Sequence, residues 1–167
     1  MDTMRKILLF LMVGMGFWSL SPAPFISVAA ADQFYVIDGD TFSLNGRTYR
    51  LWGIDAPERE QSCRRDSRDY QCGIESRTYL RSLIGDPTKI SCERRLRAKK
   101  ETRTVALCRV NGEDLAQLMV SAGWAVDYKF FSKGYYAAAE AGARAAGRGL
   151  WAGEFQSPQA WRKAHSR

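Results

Sequence analysis

Asn45-Gly46 is the feature that most narrows what this chain can become. It separates two strand-like runs, Thr41–Leu44 and Arg47–Ile54. A two-residue type I′ turn needs positive φ at both positions, so the pair predicts a tight antiparallel hairpin. Counting outward from the turn places Thr41 opposite Arg50 and Asp40 opposite Leu51. The segment ending at Asp55 therefore returns past the segment around Asp38. Asp38, Asp40, Arg50, Asp55 and Glu58 are thereby gathered on one hairpin. Carboxylates so close repel unless positive charge or solvent lies among them: a metal ion, basic side chains or plain water. Strict alternation puts Arg50 and Asp40 on opposite faces, so a twist or a bulge near Gly39 is needed to bring them together. Taken singly, Asp38-Gly39-Asp40 and Asp55-Ala56-Pro57-Glu58 are ordinary turn sequences; only their juxtaposition points to chemistry.

The N-terminus has a different character. Arg5 and Lys6 precede an apolar run, Ile7–Leu20, and small residues follow at Val28–Ala31. This is the pattern of a signal peptide over residues 1–31, with an uncleaved membrane anchor as the alternative; the run is short for a spanning helix. Met4 also serves as a start. Without that segment the chain carries 23 basic and 17 acidic residues. A positive balance suits an anionic partner such as nucleic acid, although many exported proteins are basic and bind no polymer. The four cysteines, Cys63, Cys72, Cys92 and Cys108, all lie beyond the leader. After export an even count reads as two disulfides. Zinc is disfavoured because no C-x-x-C is present and the lone His165 sits in the tail.

Beyond the hairpin, Phe34–Asp38 reads as a strand and the polar stretch Glu60–Gln71 as a loop. Ser76, Tyr79, Leu80, Leu83 and Ile84 mark a helix stopped by Gly85. Thr88–Glu93 and Arg103–Val110 read as strands joined by a basic connection. Leu115, Leu118, Met119 and Ala122 line a short helix, and a third runs from about Gly134 to Ala146 before Gly147 and Gly149. If the two strands flanking the basic connection pair with Arg94 opposite Ala106, Cys92 falls opposite Cys108, leaving Cys63 to bridge Cys72 and tie down the polar loop. The tail, residues 152–167, shows no helical period; Phe155 and Trp161 are expected to wrap it onto the core. No repeat or linker appears, so residues 32–167 read as one domain with its core at about 34–151. The element order fits an α+β chain with a five-stranded OB-type β-barrel and three helices.

The segments "IDGDT", "YRLWGIDAPE", "RTVALCRV" and "AEAGARAAGRGLW" resemble the staphylococcal (micrococcal) nuclease family. The likeness spans residues 34–151, and the pairing of D-G-D-T with R-L-x-G-I-D-A-P-E is its most specific part. It implies the OB-fold barrel and Ca²⁺-dependent hydrolysis of phosphodiesters in DNA and RNA, leaving a 3′-phosphate. Position by position, it implies that Asp40, Asp55 and the Ala56 carbonyl hold Ca²⁺. Glu58 then activates or orients the attacking water, Arg50 and Arg103 hold the phosphate, and Asp38 is a further acidic position near the metal. The family's Tyr-Gly before the second arginine is replaced by Glu101-Thr102, which weakens the expectation of base stacking.

Those residue types suit the chemistry. A phosphodiester is an anion that gains negative charge under attack; forked guanidiniums and a divalent ion match that charge, and a carboxylate takes the water's proton. All-oxygen donors suit Ca²⁺ or Mg²⁺ rather than zinc, and calcium is abundant outside the cell. Arg94, Arg95, Arg97, Lys99 and Lys100 either track a nucleic-acid backbone or form a solvated hairpin tip. Among Trp124, Tyr128, Phe130, Phe131, Tyr135 and Tyr136, one or two are expected to stack on bases and the rest to pack. The expectation is an exported nuclease, periplasmic or secreted, monomeric, free of the membrane once the leader is removed, and acting on DNA and RNA with single strands preferred. The alternative is a non-catalytic nucleic-acid-binding or extracytoplasmic accessory module on the same fold.

Overall fold

The computed structural model describes residues 33–95 and 103–166. The expected leader and residues Arg97, Lys99, Lys100, Glu101 and Thr102 lie outside the described residues. In chain order the strands and helices are β1 (Phe34–Asp38), β2 (Thr41–Leu44), β3 (Arg47–Leu51), β4 (Ile54–Asp55), β5 (Cys63–Arg65), β6 (Arg68–Tyr70), α1 (Cys72–Ile84), β7 (Ile90–Arg94), β8 (Thr104–Val110), β9 (Glu113–Asp114), α2 (Leu115–Ser121), β10 (Val126–Asp127), α3 (Lys129–Ser132), α4 (Ala137–Ala145) and α5 (Pro158–His165).

The hairpin forms in the expected register. Asn45 and Gly46 take φ of 51° and 75°, and Leu44 pairs with Arg47 and Thr41 with Arg50. The main sheet runs β1-β2-β3-β8-β7, with β9 on β8. Its one parallel contact, β3 with β8, pairs Arg50 with Val105 and Leu51 with Ala106. Cys92 pairs with Cys108 and Arg94 with Ala106, and both disulfides, Cys63–Cys72 and Cys92–Cys108, are present. The core lies between this sheet and the helices. Phe42, Leu51, Ala106 and Cys108 meet Leu80 and Ile84 of α1, Leu115 and Met119 of α2, and Tyr136. A smaller cluster joins the Cys63–Cys72 bridge to Leu150, Tyr70 and Phe155.

The α+β class and the five-strand sheet are as expected, and no ladder closing β1 onto β7 is seen among the described residues. Three other expectations need correction. Glu60–Gln71 is not a plain loop, because Cys63 pairs with Tyr70 and Arg65 with Arg68 around a turn in which Asp66 and Ser67 adopt positive φ. Asp tolerates that region through its short polar side chain, so a charged stretch can hide a hairpin. The helices number five rather than three among the described residues, since α3 and α5 add to α1, α2 and α4. The tail is helical over Pro158–His165, with Ser157 capping the Ala160 N–H and Pro158 at the first turn. That Ser-Pro start is itself a helix signal, and it escapes a search based on apolar periodicity alone.

Candidate acidic centre

Three local features bring the predicted residues together. A register shift between Val36 and Asp38 puts a bulge into β1, slightly before the expected place at Gly39. Asp40 sits in the turn after β1, outside the strands, so alternation does not dictate where its side chain points. Leu51 N–H nonetheless donates to the Asp40 carbonyl at 2.8 Å, keeping the two positions opposite. Gly39 also allows close packing: a Cβ there would collide with the Ser76 side chain of α1 and lie 2.8 Å from Ala56 Cβ.

Arg50 is the result of that convergence. Its Nη1 donates to Asp40 Oδ1 at 2.7 Å and its Nη2 to Asp55 Oδ1 at 2.8 Å. Asp40 is further held by the Thr41 hydroxyl at 2.6 Å and the Ala56 N–H at 3.1 Å. Both aspartates are buried. Burial opposes the Arg50 charge, but Asp40, Asp55 and Asp38 outweigh it and raise its pKa. The Asp40 N–H donates a long hydrogen bond to Asp38 Oδ1, 3.3 Å. Burial first and the Asp40 charge second push its carboxyl up to about 7.

Glu58 follows on a tight turn. Gln61 N–H donates to the Glu58 carbonyl at 2.8 Å, and Glu58 N–H donates to Gln61 Oε1 at 3.3 Å. Gly73 lets the start of α1 press onto this turn, since a Cβ there would strike the Glu58 carbonyl. Gln61 is fully buried and also donates to the Gln156 carbonyl at 2.7 Å, joining the turn to the tail.

The tail supplies a second guanidinium. Arg162 of α5 donates from Nη1 to Asp55 Oδ1 at 2.9 Å and to Glu58 Oε1 at 2.7 Å, and from Nη2 to Asp55 Oδ2 at 2.9 Å. Burial works against this charge, but hydrogen bonds to Asp55 and Glu58 prevail and raise the Arg162 pKa above its ordinary value. Four acids thus surround two arginines. In kind, the carboxylates of Asp40 and Asp55 with the Ala56 carbonyl suit a hard divalent cation. In the arrangement observed, both Asp55 oxygens already accept from guanidinium groups, and no cluster of three or more His, Cys, Asp or Glu side chains is poised for a metal among the described residues. The donor set fits such an ion on condition that Arg162 gives up Asp55.

A family profile described as staphylococcal nuclease homologue matches residues 48–153. The chain belongs to this family. The succinoglycan biosynthesis protein ExoI of Rhizobium meliloti (strain 1021) is 38% identical over 122 residues, covering 71% of this chain and 63% of its own length. The chain therefore spans less than two thirds of that relative. Within the staphylococcal nuclease homologue profile lie Arg50, Asp55, Ala56, Glu58 and Arg103; Asp38 and Asp40 precede it and Arg162 follows it.

The remaining predicted residues divide. Arg103 is exposed at the bend before β8 and makes no ion pair with the acids among the described residues. Arg94 and Arg95 are exposed, and the Arg95 guanidinium lies over the Trp52 ring at 5.8 Å. Tyr136 is core and donates its hydroxyl to Asp114 at 3.0 Å, whereas Phe130, Phe131 and Tyr135 are exposed. Tyr128, Lys129 and Phe130 line a groove with Gln159 of α5. Trp161 is half-buried, stacks on His165 at 4.1 Å and lines a groove with Glu60 and Ser62, while Phe155 packs against Trp151 at 4.9 Å.

Proposed function

We propose that this staphylococcal nuclease homologue is an exported, monomeric nuclease that hydrolyses phosphodiester bonds of DNA and RNA, single strands preferred, with little sequence preference. The observation that carries this reading is the joining of Asp40 and Asp55 through Arg50, with Glu58 beside them. Asp40, Asp55 and the Ala56 carbonyl hold a calcium ion, which when bound supplies Lewis-acid polarisation of a phosphoryl oxygen. Arg50 and Arg103 donate to phosphate oxygens and meet the charge that builds during attack. Glu58 takes a proton from the attacking water as the water oxygen bonds to phosphorus, the bond from phosphorus to the 5′ oxygen breaks, that oxygen takes up a proton and leaves as a 5′-hydroxyl, and a 3′-phosphate is left. Two disulfides accord with an oxidising compartment outside the cytoplasm, and no helix among the described residues is long and apolar enough to cross a membrane.

A second reading has its own support. The relative is named as a succinoglycan biosynthesis protein, and Arg162 occupies the oxygens of Asp55 and Glu58. Both suit a non-catalytic extracytoplasmic module with a nuclease-like fold. A DNA and RNA zymogram with Ca²⁺, and again with chelator, separates the two. Cleavage that stops with chelator supports the nuclease; full activity in chelator removes the calcium assignment. Absence of cleavage with any divalent ion favours the accessory role.

A further inference from the structure

The Arg162 contact comes from a helix with little else to hold it. Of the α5 side chains only Pro158 is buried. Lys163, Ala164 and His165 are exposed, and Trp161 is half-buried, stacked on His165 and lining a groove with Glu60 and Ser62. No extensive packing joins α5 to another strand or helix among the described elements. The polar ties that hold it are Arg162 on Asp55 and Glu58, and just before the helix the Gln61 side chain on the Gln156 carbonyl. Gln159, one turn before Arg162 on the same face, lines the groove formed with Tyr128, Lys129 and Phe130. The docked helix thus reaches both the acids and the neighbouring aromatic groove.

We propose that α5 is an intramolecular plug: Arg162 is the resident counter-ion of the acid centre, and a divalent cation and Arg162 exclude each other at Asp55. This rests on the reading of Asp40 and Asp55 as cation ligands. Three groups of observations support it. Both Arg162 nitrogens point at the Asp55 carboxylate, engaging both of its oxygens. The same guanidinium holds Glu58, so a docked α5 occupies the carboxylate that would otherwise accept a proton. A guanidinium and a divalent cation on one carboxylate repel each other at short range in a partly buried setting, where solvent screens weakly. Because α5 fully buries only Pro158 and has no extensive packing with another described strand or helix, it opens at lower cost than the core elements do. The plug is therefore displaceable, and cation binding and helix docking are linked reciprocally.

The test measures cation binding and helix docking directly, without relying on cleavage. Ca²⁺ binding to the full protein and to Arg162→Gln is followed by calorimetry, and hydrogen exchange of the α5 amides is recorded with and without saturating Ca²⁺. Competition predicts that Arg162→Gln binds Ca²⁺ between about 5- and 150-fold more tightly, the usual span of coupling between linked sites. It also predicts that α5 amides of the unaltered protein lose protection when Ca²⁺ binds. Arg162→Met in the full chain should match Arg162→Gln in affinity, which guards against a local effect of the glutamine. Equal or weaker affinity in Arg162→Gln, unchanged α5 protection at saturating Ca²⁺, or no Ca²⁺ binding by either folded protein overturns the plug. If both proteins bind Ca²⁺ with the predicted difference yet cleave no nucleic acid, the nuclease reading fails and the plug stands.

Discussion

Arg50→Met tests whether Arg50 holds the fold together as well as serving the site. The side chain is 14% exposed and joins Asp40 and Asp55, which are 2% and 3% exposed. Methionine keeps much of the aliphatic stem but leaves two buried carboxylates facing each other. Removing one partner of a buried ion pair costs about 3–5 kcal/mol. The lower end applies here, because Asp55 keeps Arg162 and Asp40 keeps the Thr41 hydroxyl and the Ala56 N–H. A loss of about 3 kcal/mol corresponds to a fall in Tm of roughly 10 °C for a domain of this size. Urea unfolding should show the midpoint moving with little change in slope. Asp40→Asn in the Arg50→Met background should recover part of the loss, since it removes the charge that was stranded. A loss below about 1 kcal/mol, or strictly additive effects of the two substitutions, would refute the argument that Arg50 is the buried counter-ion of the hairpin. The outcome also governs how activity is read, because a dead Arg50 variant is informative only at a temperature where it remains folded.

Three further groups of outcomes are expected. Gly39→Ala should destabilise by about 1–3 kcal/mol in urea, as overpacking does, because the new methyl meets Ser76 and Ala56; unchanged stability would mean that the turn yields freely. Peptide mapping without reduction should join Cys63 to Cys72 and Cys92 to Cys108, and replacing the second pair by alanine should cost about 2–4 kcal/mol; four free thiols in exported protein would contradict both the pairing and the oxidising compartment. Glu58→Gln should abolish cleavage while retaining single-stranded DNA binding, and Arg103→Ala should slow cleavage by about 3 kcal/mol in the barrier; a near-normal rate for Arg103→Ala would remove that residue from the site.

Several parts of this centre were legible in the chain because they depend on neighbours in sequence. Positive φ at Asn45 and Gly46 sets the hairpin register, so Thr41 opposite Arg50 follows by counting. Cys92 opposite Cys108 follows the same way from a strand pairing, and the acids of one hairpin and the turn after it are local by construction. Other parts were decided only in three dimensions. The bulge at Ile37 and the turn position of Asp40 free its carboxylate from strict alternation, and the contacts of Gly39 with α1 exist only after the helix has docked. Among the described residues no ladder joins β1 to β7, although the strand order alone is compatible with a closed barrel. Arg162 is the largest omission: it meets Glu58 across 104 residues of sequence and Asp55 across 107. The Ser157-Pro158 start announces a helix there, but no local pattern says which surface a short, mostly polar helix will meet. Short-range backbone preference wrote the hairpin, whereas the meeting of Arg162 with Asp55 and Glu58 is a long-range contact that only the folded chain makes.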